Sequence, residues 1–237
     1  MTALIKKELS TYFHSLIGYI YLTIFLAFAG LYFFSTVLVS NTNSLNYVYS
    51  SLLLIVIFLI PILTMRLFSE EKRLKTEQAL LTAPISSFSI VMGKYIAVLI
   101  LYIISISITL IFGVVVSFFV MPEWPVIIGN FVGLFLVGAA FISIGMFISS
   151  MTENQVVAAI ISIATAVFIV MLDSIASLVK VDFLAQLIKY ISFISHHSSF
   201  TMGIFNIKDL IFFLSVCTLY IVQTFKLSKI KSACAVI

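Results

Sequence analysis

The residues of this sequence that are able to do chemistry fall in a few places. The densest is a charged run of Arg66, Glu70, Glu71, Lys72, Arg73, Lys75 and Glu77, followed by Leu80, Leu81 and Pro84. Arg66 with Glu70, and Glu71 with Lys75, stand four apart, the spacing at which opposite charges pair along one helix face. Leu74, Leu80 and Leu81 accompany these charges outside any apolar run, where leucines need a membrane surface or a partner protein to cover them. The combination predicts a docking element. His196 and His197 are able to bind metal or sense pH, but two adjacent histidines without carboxylate or thiolate neighbours make a poor metal site, and they are expected at the surface. Asp173 is an acid within an apolar run, a position that is functional by default; it is expected to face a polar pathway or to pair with Lys180. Cys217 and Cys234 are too few for a disulfide framework, and the Cys234-Ala235-Val236-Ile237 ending matches a prenylation pattern of little use to a chain already in the bilayer. Gly93-Lys94 is not a P-loop, because Phe88 stands where the first glycine belongs and Tyr95 where Ser or Thr belongs. No covalent chemistry and no ATP site follow from these residues.

The elements that must carry them are set by composition. Of 237 residues, 62% are hydrophobic and 9% charged, against about a quarter charged in a soluble domain. That excludes a soluble domain, and no nucleic-acid partner is expected. At about 20 residues per span, the uncharged runs predict an all-α integral membrane fold in one domain over 1–237. Its six spans lie at about 15–39, 47–65, 95–120, 126–149, 156–179 and 210–225. The long apolar run after Lys6 and Lys7 is read as the first span, preceded by an amphipathic helix, and not as a cleavable signal. Asn41–Ser44 and Pro122-Glu123-Trp124-Pro125 predict tight turns, the second firm because proline cannot continue a lipid-exposed helix. The charged run should prolong span 2 as helix and end near Pro84, with Ser86 or Ser87 capping the next helix, and Pro61 predicts a kink. Asn206 and Asp209 suit the start of span 6.

Orientation follows from counting basic residues. With the N-terminus inside, Lys6, Lys7, Arg66, Lys72, Arg73, Lys75, Lys94, Lys226, Lys229 and Lys231 lie on the cytoplasmic side, against Lys180, Lys189 and Lys208 outside. Both termini and the charged run are then cytoplasmic, and residues 180–209 are extracellular. Two small-residue stripes permit close helix approach: Gly129 with Gly133, and Ala158, Ser162 and Ala166. Either serves as a dimer seam or as packing within one chain.

The run from Pro61 to Arg66, through Glu70-Glu71-Lys72-Arg73 to Leu80-Leu81-Thr82-Ala83-Pro84-Ile85-Ser86 and then Gly93-Lys94, resembles the segment between the second and third spans of ABC-2 type permeases, the membrane subunits of ATP-binding cassette transporters. Ser195-His196-His197-Ser198-Ser199-Phe200-Thr201-Met202-Gly203, then Asp209 and Phe212-Phe213-Leu214-Ser215, resembles the approach to the last span in the gliding-motility-type branch. The resemblance covers nearly the whole chain. It implies a coupling helix within residues 70–86, with Glu70, Glu71, Lys72, Arg73, Glu77, Leu80, Leu81 and Pro84 at a cytoplasmic ATPase. It also implies an extracellular helical or re-entrant segment before span 6, and a dimer seam through span 5 (Ala158, Ser162 and Ala166) with span 1. The partners implied are two ATPase subunits holding ATP and Mg, and a second permease chain, identical or sibling. The direction implied is export, across the plasma membrane of a bacterium, and no cofactor is held by this chain. The residues also admit two rival readings. In an intramembrane CAAX-type metalloprotease, Glu70-Glu71 with Lys75 and Phe193 with His197 would approximate the catalytic motifs, opposed by Lys75 in place of arginine and by the charge count, which puts the two motifs on opposite sides. The other is a scaffold or immunity protein that transports nothing.

Overall fold

The structure, a computed structural model, describes residues 2–39, 45–75, 86–119, 121–179 and 182–235. Its elements are helical: α1 Thr2–His14, α2 Leu16–Phe33 continued by a π-helical turn Phe34–Val39, α3 Asn46–Thr64, α4 Arg66–Arg73, α5 Ser87–Ser117, α6 Trp124–Met151, α7 Gln155–Leu178, α8 Asp182–Ile191, α9 Phe193–Thr201 and α10 Ile207–Ala235. Among the described residues, six helical stretches are long and apolar enough to cross a membrane, namely α2 with its π-helical turn, α3 with α4, α5, α6, α7 and α10.

The boundaries follow local chemistry. Pro125 sits at the start of α6, where its missing N–H costs nothing, and this ends the α5–α6 turn. Ser86 caps α5 by accepting from the Ser89 N–H at 3.3 Å. Helix α5 thereby starts eight residues before Tyr95, the expected start of span 3. The hydropathy pattern breaks at Lys94 but the helix does not, because this lysine is neutralised inside the protein, as described below. Asn154 caps α7, accepting from Val156 N–H at 2.9 Å.

The central helix is α6, buried along most of its length and packed by α3, α5, α7, α9 and α10. Its neighbours are tied by tyrosine hydroxyls reaching polar groups on other helices. Tyr102 donates to the Leu134 carbonyl at 2.6 Å, Tyr95 to the Ala139 carbonyl at 3.3 Å, and Tyr49 to Thr109 Oγ1 at 3.1 Å. Tyr21 and Ser105 hydroxyls share a bond of 2.9 Å. In hydrocarbon such bonds contribute about 0.6 kcal/mol each, so their value lies more in fixing helix register than in net stability. The faces left outward on α2, α7 and α10 carry Leu16, Leu31, Ile160, Phe168, Ile211 and Leu219, a surface that suits lipid.

Two ends of the bundle can be told apart. At one lie α1, α4, the start of α5 and the end of α6. At the other, Asn130 near the start of α6 donates to Asn46 Oδ1 at the start of α3 at 2.7 Å, beside α9.

Candidate functional site

The charged run forms an elbow. Pro61 lacks the N–H that would bond the Ile57 carbonyl, and four residues later the helix breaks at Met65 before resuming as α4. A side chain from another helix enters this break. Ser149 Oγ of α6 accepts from the Phe68 and Ser69 N–H groups at 3.1 and 3.2 Å and donates to the Met65 carbonyl at 3.0 Å. Insertion of a foreign hydroxyl into the helical ladder is a defined cause of a kink. It also supplies the N-cap that Met65 cannot. A Ser149→Ala variant should therefore lose about 1–2 kcal/mol of local stability, read as faster amide exchange over residues 66–75 with exchange in α7 unchanged.

The far end of α4 is set by Lys75, whose φ of +56° is left-handed and ends the helix at a position where glycine is usual. Lys75 thus lies past the helix, and the i,i+4 pairing of Glu71 with Lys75 along a helical face is not the one built. Glu71 Oε1 instead accepts from Lys94 Nζ of α5 at 2.7 Å. The same ammonium lies 3.2 Å from Glu8 Oε1 of α1 and 5.3 Å from the centre of the Phe68 ring. Lys94 is 2% exposed. One buried cation thus joins α1, α4 and α5, with two carboxylates and an aromatic face around it. Tyr12 of α1, one turn after Glu8, donates to the Leu63 carbonyl of α3 at 2.8 Å, which fixes α1 against the elbow.

Of the residues expected to contact a partner, Glu70 pairs with Arg66 at 2.5 Å as its spacing predicts. Glu71 is held by Lys94, and Lys72 Nζ donates to the Ser150 carbonyl. Arg73, Leu74 and Lys75 are exposed. Glu77, Leu80, Leu81 and Pro84 lie outside the described residues. The elbow therefore has an inner face bonded to the bundle and an outward tip leading into residues 76–85. Glu8, Ser149 and the depth of Lys94 were missed in the sequence. The available signal was a lysine two turns inside a long apolar helix, which demands an acid partner.

Ala158, Ser162 and Ala166, expected at a seam between chains, are 0%, 3% and 2% exposed within one chain. Within the chain their small side chains let α7 approach its own neighbours α3 and α6, the packing alternative to a seam. The outward face of α7 is instead Ile160, Ile163, Ala164, Val167, Phe168 and Met171, around a shallow recess of about 520 Å³. Gly129 and Gly133 likewise serve the chain itself, since they seat α9. A Cβ on Gly129 would stand 2.9 Å from Gly203 Cα and closer still to the Phe200 carbonyl oxygen, and one on Gly133 would stand 2.7 Å from His197 Nδ1.

Asp173 Oδ1 accepts from Ser195 Oγ at 2.7 Å and from Ser192 Oγ, the N-cap of α9, at 3.1 Å. It thus pins α9 to α7; Lys180, its expected partner, lies outside the described residues. His197 is buried rather than at the surface, its ring nitrogens without a partner among the described residues. Burial lowers its pKa below the ordinary imidazole value and keeps the ring neutral. His196 has a carboxylate neighbour after all, Asp209 Oδ1 at 2.6 Å, thirteen residues on in the chain.

The CAAX-type arrangement is not assembled. Glu70 lies on α4, which is fastened at Ser149, and His197 lies at Gly133; along α6 these anchor points are about 24 Å apart at 1.5 Å per residue. Residues 34–218 match the model of a family described as ABC-2 family transporter protein. No curated protein matches the chain.

Proposed function

Because this chain belongs to the ABC-2 family of transporter proteins, and is thus a multi-pass membrane component of an ATP-binding cassette transporter, we propose that it is one half of a dimeric exporter driven by two separate ATPase subunits. Within the family, the residues before the last span favour the gliding-motility-type branch. The N- and C-termini and the elbow face the cytoplasm, in agreement with ten basic residues on that side against three, and the membrane is a bacterial inner membrane. ATP and Mg are held by the partner subunits. The α8–α9 segment is the extracellular, re-entrant part.

The observation that carries this reading is the two-sided elbow. Its tip, Arg73, Leu74 and Lys75, is exposed, while its inner face is bonded to α5 and α6 and, through Lys94, linked to α1. A push on the tip and on residues 76–85 by a closing ATPase would move the inner ends of the first, third and fourth spans together. The face of α7 around Phe168, with the outward face of α2, serves as the seam to the second permease chain. The pathway lies between the two permeases.

The test is co-purification with the ABC ATPase expressed alongside this chain. An Arg73→Glu, Leu74→Asp variant changes the exposed tip without touching the buried bonds, and should retain less than about a tenth of the bound ATPase while melting as wild type does, a loss of about 1.4 kcal/mol or more. Undiminished binding would overturn the assignment of the elbow tip. Failure of the wild type to bind any ATPase would instead favour the scaffold reading.

A further inference from the structure

At the end of the bundle opposite the elbow, His196 of α9 is bonded at both ring nitrogens, and both partners are acceptors. Nδ1 lies 2.6 Å from Asp209 Oδ1 of α10, and Nε2 lies 3.1 Å from the Tyr190 carbonyl oxygen of α8. A neutral imidazole has one N–H and one lone pair. In either tautomer, a lone pair would therefore face an oxygen. With Asp209 ionised, only the doubly protonated ring satisfies both bonds. Two further contacts favour a positive ring here. The imidazole lies flat against Phe212 of α10, with centroids 4.1 Å apart and an angle of 19° between planes, an arrangement that favours a cation. Asp209 is 5% exposed and its second oxygen has no partner among the described residues, so loss of the histidine charge would leave a buried carboxylate uncompensated.

We propose that His196 is a proton-set clasp: doubly protonated, it ties α8, α9 and α10 together, and its deprotonation releases that tie. The inference rests on this geometry and is independent of the transport reading. The other ionisable groups around the clasp do not substitute for it. Asp173 of α7 bonds Ser192 and Ser195 of α9. His197 is turned to Gly133 of α6, and α6 contributes no charged residue. Lys189 and Lys208 are exposed. Histidine ordinarily changes charge between about pH 5 and 8. The tie is therefore present while His196 is doubly protonated and Asp209 ionised, and is lost when either changes charge.

Hydrogen exchange of the full-length protein in lipid nanodiscs tests the clasp, with protection corrected for the intrinsic pH dependence of exchange. Amides of residues 193–201 should lose about tenfold or more in protection between about pH 6 and pH 8.5, the scale of one charge-assisted hydrogen bond, while α6 stays protected. His196→Gln and Asp209→Asn should both be weakly protected and flat with pH. Asp173→Asn should lower protection yet keep the pH dependence. Equal protection of the wild type at both pH values would overturn the proposal, and so would a pH dependence that survives in His196→Gln.

Discussion

Replacing Lys94 by methionine is expected to lower the stability of the purified protein by about 3 kcal/mol, near the lower end of what breaking a buried ion pair costs. The lower end applies because the Glu8 and Glu71 side chains keep 11% and 17% of their exposure, so water can partly solvate them once the cation is gone. The loss comes chiefly from the two carboxylates left facing each other beneath α1, not from the absent lysine contacts. That cause has a distinctive consequence. A Glu8→Gln, Glu71→Gln, Lys94→Met triple variant removes all three charges and should recover most of the stability, since buried ion clusters replaced by neutral groups are often no less stable. Chemical or thermal unfolding in nanodiscs measures both steps. A single variant that melts as wild type does, or a triple variant no better than the single, would show that the cluster does not hold the elbow. In a transporting system, the single variant should also bind ATPase through its intact tip while failing to convert hydrolysis into movement.

The second large effect is expected at the other end of the bundle. Gly129→Val places a branched side chain where the Phe200 carbonyl and Gly203 backbone already stand. Backbone cannot turn aside as a flexible side chain can, so α9 must lift off α6. Overpacking of this kind costs about 1–3 kcal/mol, and here the upper end is expected. Exchange protection over residues 193–201 should collapse while residues 66–75 remain protected, because Gly129 and Ser149 are about 30 Å apart along α6. Gly30 provides the control, since a Cβ there would meet nothing within 4 Å, and Gly30→Ala should leave both ends intact. An α9 that stays protected in Gly129→Val would mean that the glycine stripe is not its seat.

Much of the architecture was legible in the residue order because lipid imposes a strong and local constraint. A span must satisfy its own backbone and stay apolar for about 20 residues, so the six helices, the turn at Pro122–Pro125 and the cap at Ser86 can be read from neighbouring residues alone. The Arg66–Glu70 pair was legible for the same reason, since both partners lie on one helical face. The helix begins where the Ser86 cap predicts, whereas the apolar span was set two turns later, at Tyr95 after a charge, and only the acids of α1 and α4 show why Lys94 can lie inside.

The candidate site was less legible, and each miss has the same origin. Ser149 is one serine among several at the end of an apolar helix, and nothing nearby in the chain says that it enters the break at Met65. A stripe such as Ala158, Ser162 and Ala166 declares that something comes close, but not whether that neighbour belongs to the same chain. His196 finds its carboxylate across a turn and another helix. The sequence by itself determined which segments cross the membrane and where the charges gather, because those follow from the solubility of each segment in lipid. Only the tertiary structure decided which charges meet, which hydroxyl enters which helix and which face of α7 is left outward. Those choices depend on groups up to 86 residues apart, which are brought together by helix packing and not by any local preference of the chain.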